Sequence, residues 1–239
     1  MVSQSKIDEV KQNVKTIIDT ERKAAINNSR NPDDIKIMAV TKTVDPILIN
    51  AAIDSGITLL GENRVQEFLS KYDEYNKDGV EIHFIGSLQT NKVKYIIDKV
   101  SMIHSVNSLK LAKEIDKQSK KHNIVMNILI EVNIGDEDTK SGIMPSDVFE
   151  LLKEISHFSN VKVQGLMAIP PFCEKDEQIK QYFDNMYKLF IDIKDKKIDN
   201  INMNVLSMGM SHDYHIAIGC GSTLVRVGSK MFGNRIYNI

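Results

Sequence analysis

Ile35-Lys36-Ile37-Met38-Ala39-Val40-Thr41-Lys42 runs directly into Thr43-Val44-Asp45-Pro46, and this stretch decides the fold. The first seven residues read as a buried strand, and Pro46 sits near the first turn of a helix. A lysine at the end of a buried strand is awkwardly placed. Its ammonium must be hydrated, paired or made neutral, and burial favours the neutral amine. A neutral lysine amine condenses with aldehydes, so Lys42 reads as a Schiff-base site. The plainer alternative is a lysine that reaches water, and the rest of the chain decides against it.

The strand-then-helix unit repeats along the chain. After an amphipathic helix at about 3–28, candidate strands fall at Lys36–Thr41, Thr58–Gly61, Ile82–Gly86, Met102–Val106, Ile128–Asn133, Lys162–Ile169, Asn204–Met208 and Thr223–Gly228. Helix-patterned stretches lie between them: Pro46–Ser55, Arg64–Tyr75, Asn91–Lys99, Ser108–His122, Pro145–Phe158, Glu174–Lys194 and Ser211–Gly219. Eight alternations over this length predict an α/β fold, a single (β/α)8 TIM barrel with an extra N-terminal helix. An open doubly wound sheet normally needs fewer strands. No linker or composition shift marks a second domain, so residues 1–239 are expected to form one.

The 239 residues carry 31 basic and 32 acidic side chains, a formal charge of -1. That balance calls for neither a nucleic acid nor a membrane surface as partner. The sign-alternating stretch 192–197 reads as a solvated face. Two separated cysteines, Cys173 and Cys220, suit a reducing compartment. Charges throughout residues 1–25 interrupt any signal-peptide core, and no apolar run reaches the length of a membrane span. A cytoplasmic location is expected.

On a barrel, ligand groups follow the strand C-termini, and these segments are rich in polar and small residues. Lys42 follows strand 1, Gly61-Glu62-Asn63-Arg64 ends strand 2, and Ser87-Leu88-Gln89-Thr90-Asn91-Lys92 follows strand 3. Asp136-Glu137-Asp138-Thr139-Lys140-Ser141-Gly142 follows strand 5, and its acids read as a solvated loop rather than a metal site. After strands 7 and 8, where barrels commonly bind phosphate, stand Ser207-Met208-Gly209-Met210-Ser211 and Arg226-Val227-Gly228-Ser229. Ser211 is expected to open a helix whose amides face an anion. Gly228 and Ser229 offer a backbone N–H and a hydroxyl. Ordinary βα turns are the alternative, since Gly and Ser are common there.

Alternation with Leu224 and Gly228 points Arg226 into the barrel mouth. Arginine has only donors and keeps its proton, so against an aromatic nitrogen it leaves that nitrogen unprotonated. The alternative is a core arginine paired with Glu62 or Asp136. His83, His104, His212 and His215 show no zinc spacing, and His83 reads as a hydrogen-bonded barrel histidine. No metal is expected.

Several separated strings then identify a resemblance. They are Ala39-Val40-Thr41-Lys42-Thr43, Gly61-Glu62-Asn63, His83 through Lys92, Lys140-Ser141-Gly142, Gly165-Leu166-Met167, Leu206 through Asp213 and Gly221 through Gly228. In this order and spacing, over about Ile35 to Arg235, the chain closely resembles the YggS/PROSC family of pyridoxal phosphate homeostasis proteins. The resemblance implies an alanine-racemase-type barrel binding pyridoxal 5'-phosphate (PLP) as an aldimine of Lys42. Arg226 would face the pyridine nitrogen, Asn63 would lie beside the cofactor, and Ser211, Gly228 and Ser229 would hold the phosphate. The chain shows no departure from the family at these positions.

It also implies a non-enzymatic role in PLP homeostasis and delivery, with PLP-dependent apo-enzymes as transient partners and effects on amino-acid balance. An arginine at the ring nitrogen weakens the electron sink that PLP catalysis uses, in agreement with that role. The rival is an amino-acid racemase of alanine-racemase type. It needs an acid opposite Lys42, for which Tyr214 is the available choice. In alanine racemases that acid comes from a second, β domain, and with about ten residues after strand 8 such a domain is expected to be absent. A barrel enzyme for another phosphate ligand is the third option. No long apolar stripe demands a dimer, so a monomer is expected.

Overall fold

The computed structural model describes residues 2–135 and 141–233. Eight strands form a closed parallel barrel in sequence order: β1 (Lys36–Val40), β2 (Leu59–Glu62), β3 (Glu81–Phe84), β4 (Met102–Val106), β5 (Met126–Val132), β6 (Val161–Ala168), β7 (Ile201–Met210) and β8 (Leu224–Val227). The ring closes where β1 pairs with β8, Met38 opposite Arg226. Outside the strands lie α1 (Gln4–Asn27), α2 (Pro46–Ile53), α3 (Val65–Lys71), α4 (Leu109–Lys121), α5 (Val148–Ile155), α6 (Asp176–Asp195), α7 (Tyr214–Gly219) and α8 (Ser229–Phe232). This is a TIM barrel with an added N-terminal helix.

Strand alternation sorts the side chains into two cores. Met38, Val40, Leu59, Ile85 and Leu224 pack together inside the barrel, as do Met102, Leu129 and Met167. The opposite-facing residues, such as Ala39, Leu60, Phe84, Ile103 and Ile130, join the helices in the larger outer core. Period-two patterning accounts for this division. Helix α1 starts at Ser3, whose hydroxyl accepts the Lys6 N–H. It buries Val10, Val14 and Ile17, and Asn13 Nδ2 ties it to Met231 O of α8 at 3.1 Å.

Two expected elements differ. The crossover between β3 and β4 holds a 3-10 turn, Thr90–Tyr95, in place of a helix at Asn91–Lys99. Its apolar residues Val93, Ile96 and Ile97 are buried within a segment too short and too β-branched to propagate an α-helix. The helix after β7 starts at Tyr214 rather than Ser211. Asp213 interrupts the earlier start, because its Oδ1 accepts the Met210 N–H at 2.6 Å and bends the chain into a turn. No helix among the described residues is long and apolar enough to cross a membrane.

Candidate cofactor site

The C-terminal mouth of the barrel holds a cavity of about 500 Å³. Lys42, Asn63, Ser211, Arg226, Gly228 and Ser229 all line it, together with Val40, Ile85, Ile169, Met210 and His212. The strand order brings these residues together from β1, β2, β7 and β8, which lie up to 187 positions apart in the chain (229 − 42).

Lys42 is half-buried just beyond β1. Its approach is fixed by Thr41, whose N–H donates to Gly61 O at 3.1 Å and whose hydroxyl donates to Glu62 Oε1 at 2.7 Å. Tyr75 OH donates to the same oxygen at 2.7 Å. Burial raises the Glu62 carboxyl above its ordinary pKa, against the pull of both hydroxyls. Glu62 therefore anchors strand ends on the outer side of the barrel and is not the partner of Arg226.

Arg226 is 4% exposed. Its Nη1 donates to Ser207 O at 2.8 Å and Ser207 Oγ at 2.6 Å, and its Nη2 donates to Ala168 O at 2.9 Å. Burial pulls its pKa down to about 10, while Asp213 and Glu131 act to raise it. The guanidinium stays charged at neutral pH. Asp213 and Glu131 are its acidic counterparts, in place of Glu62, and Asp136 lies outside the described residues. The sequence reading did not single out Glu131, which shares the inward face of β5 with Leu129 two residues before it.

At the adjoining ends of β7 and β8, Ser211 Oγ accepts the N–H groups of Gly228 at 3.1 Å and Lys230 at 3.3 Å. The Gly228 amide is thus used within the protein, and Ser211 and Ser229 bring hydroxyl groups to the cavity. Asn63 contributes a buried Oδ1 without a hydrogen-bond partner. Gly86 lies so close to it that a Cβ there would come 2.0 Å from Asn63 O.

Tyr214 does not line the cavity. It is 1% exposed, and its neighbours Thr20 and Glu21 belong to α1. The α7 turn that begins three residues past Ser211 carries its ring outward. His83 and His104 share a buried 2.9 Å contact between Nδ1 and Nε2 inside the barrel. Among the described residues no group of three His, Cys, Asp or Glu is placed to hold a metal. The acidic run Asp136–Asp138 and Lys140 lie outside the described residues.

The sequence matches the alanine racemase N-terminal domain family over residues 8–235. The pyridoxal phosphate homeostasis protein of Aquifex aeolicus is 43% identical over 92% of this chain and 96% of its own length. That of Escherichia coli K12 is 34% identical over 97% and 99%. A crystal structure of an unknown protein from Bifidobacterium adolescentis superposes with a TM-score of 0.92 at 30% identity, covering 97% of this chain and 98% of that one. PipY of Synechococcus elongatus, with PLP bound, gives 0.79 at 29% identity, covering 90% and 99%. The alanine racemase of Streptomyces coelicolor shares the fold at 0.73 and 16% identity, over 96% of this chain and 59% of that one. By sequence over nearly its whole length, this chain belongs to the family of pyridoxal phosphate homeostasis proteins.

Proposed function

We propose that this protein binds PLP in the mouth cavity, holds it covalently through Lys42, and stores and delivers it without turning over a substrate. The observation that carries the reading is the convergence, in one cavity, of a lysine amine, a buried guanidinium and a serine-lined turn. That donor set matches an aldehyde, a pyridine nitrogen and a phosphate ester. The orphaned Asn63 Oδ1 adds an acceptor in want of a donor. PLP-bound PipY and the homeostasis proteins of Aquifex aeolicus and Escherichia coli support the same ligand.

When bound, PLP supplies an aldehyde and an electron-accepting ring. Lys42, at the cavity wall, would hold the cofactor covalently through its amine. Arg226, a donor only, withholds a proton from the ring nitrogen and so limits carbanion chemistry. Ser211 and Ser229 donate to the phosphate, and Gly228 keeps Ser211 oriented. Val40 and Ile85, both buried, give the cavity an apolar wall. A racemase would need an acid opposite Lys42, and Tyr214 faces α1. The protein acts as a monomer in the cytoplasm, passes cofactor to PLP-dependent apo-enzymes, and thereby affects amino-acid balance.

The test combines transfer and exchange. Loaded protein is mixed with an apo-enzyme whose regained activity is followed, and separately with L- and D-amino acids in deuterated water. Transfer without catalytic Cα exchange is expected. Multiple turnovers of exchange that disappear in Lys42→Ala would establish an enzyme and overturn the carrier reading.

A further inference from the structure

We infer that Glu67 and Lys71 act as a clamp that positions Lys42, by holding Thr43 in a left-handed backbone conformation. The inference deepens the proposed role of Lys42 and rests on it. Neither clamp residue lines the cofactor cavity, so both are positioning residues.

Residues Thr41 to Val44 form a tight turn, closed by Val44 N–H donating to Thr41 O at 3.1 Å. Lys42 and Thr43 are its central residues. Thr43 has φ +62°, at a turn position that glycine or asparagine usually fills. For a β-branched residue this conformation persists only where the surroundings impose it.

The surroundings here are two side chains of α3. Glu67 Oε1 accepts the Thr43 N–H and also the Lys71 ammonium at 2.6 Å. Lys71 Nζ donates in addition to Val44 O at 3.1 Å and Thr41 O at 3.4 Å. The Thr43 hydroxyl closes on Lys42 O at 2.6 Å. The peptide groups on both sides of Lys42 are therefore held from one helix face, where residues four apart meet.

The side chains of Lys71 and Glu67 are 12% and 21% exposed. Water therefore screens the pair less than a surface ion pair. Burial acts to raise the Glu67 carboxyl, yet the bonds from Lys71 and the Thr43 amide hold it below its ordinary range. The Glu67 carboxylate therefore stays ionised at neutral pH. Its effect is to turn the chain sharply after β1, so that Lys42 is presented at the mouth and does not continue the strand direction.

Glycine adopts a positive φ freely, so Thr43→Gly should make the clamp unnecessary. PLP is titrated into wild type, Glu67→Ala, Lys71→Met, Thr43→Gly and the Glu67→Ala/Thr43→Gly double variant. Borohydride-trapped Lys42 is quantified, and hydrogen exchange at the Thr43 amide is measured in the same proteins. Glu67→Ala is expected to weaken PLP binding by about tenfold and to speed Thr43 exchange, with Thr43→Gly restoring binding to within about twofold. A purely structural role for Glu67 would lower the melting temperature without that rescue.

Unchanged binding in Glu67→Ala, or a folded double variant that stays weak, would overturn the clamp. If Glu67→Ala does not fold, Lys71→Met decides by the same readouts. Wild type that traps no adduct at Lys42 would remove the covalent reading alone. Thr43 exchange, slow in wild type and fast in Glu67→Ala or Lys71→Met, would still establish that the clamp fixes the turn, and equal exchange would refute it.

Discussion

Arg226 Nη1 bonds both the carbonyl oxygen and the hydroxyl of Ser207, at 2.8 and 2.6 Å, fastening β8 to β7 inside the barrel. The same guanidinium reaches Ala168 O on β6. Arg226→Met would strand these acceptors and leave Glu131 and Asp213 without their cation. The expected loss is about 3 kcal/mol of stability, checked by urea unfolding. Arg226→Lys should recover little, since one ammonium cannot reproduce the planar fork.

His104 gives a pH dependence. It is fully buried and held well below the ordinary histidine pKa of 6.5, first by burial and then by His83 and Arg226. The unfolded chain binds a proton below that value and the folded protein does not. Stability is therefore present above pH 6.5 and falls as pH drops below it, with a slope of about 1.4 kcal/mol per pH unit from this residue. His104→Asn should flatten the decline below pH 6.5, read from urea midpoints.

Ser211→Ala separates the phosphate from the rest of the cofactor. The substitution removes a hydroxyl donor and leaves the Gly228 and Lys230 amides without their acceptor. On the proposed reading, PLP affinity falls by about tenfold while affinity for phosphate-free pyridoxal changes little. Equilibrium titration of the two ligands gives the ratio.

Gly86→Ala tests the support beneath Asn63. The added methyl carbon would lie 2.0 Å from Asn63 O, and backbone atoms on both sides leave nothing flexible to yield. A destabilisation of about 3 kcal/mol and weakened PLP binding are expected, from thermal melts and titration.

The barrel was legible because its strands carry inward and outward residues in alternation and each is followed by a helix signal. Lys42, Asn63, Ser211, Arg226, Gly228 and Ser229 were legible as rim residues once the eight strands were placed, and one cavity does gather them. Pairings across the fold were not. Glu62 stands beside Gly61, which faces Met38 inside the barrel, so strict alternation turns Glu62 outward to Thr41 and Tyr75. The acids near Arg226 come from β5 and the turn before α7, which no local pattern links to β8. Tyr214 was misplaced for a similar reason. Helix α7 starts three residues later than the sequence suggests, and that shift turns its ring from the mouth to α1. The Glu67–Lys71 pair looks like an ordinary i,i+4 surface pair in sequence, and only the folded turn at Thr43 gives it a role.

The most direct test of the central claim is peptide mapping after borohydride reduction of the PLP-loaded protein. A phosphopyridoxyl group is expected on Lys42, at about one per chain, and none on other lysines at comparable occupancy. A protein that binds PLP tightly but carries the group elsewhere, or carries none, would contradict it.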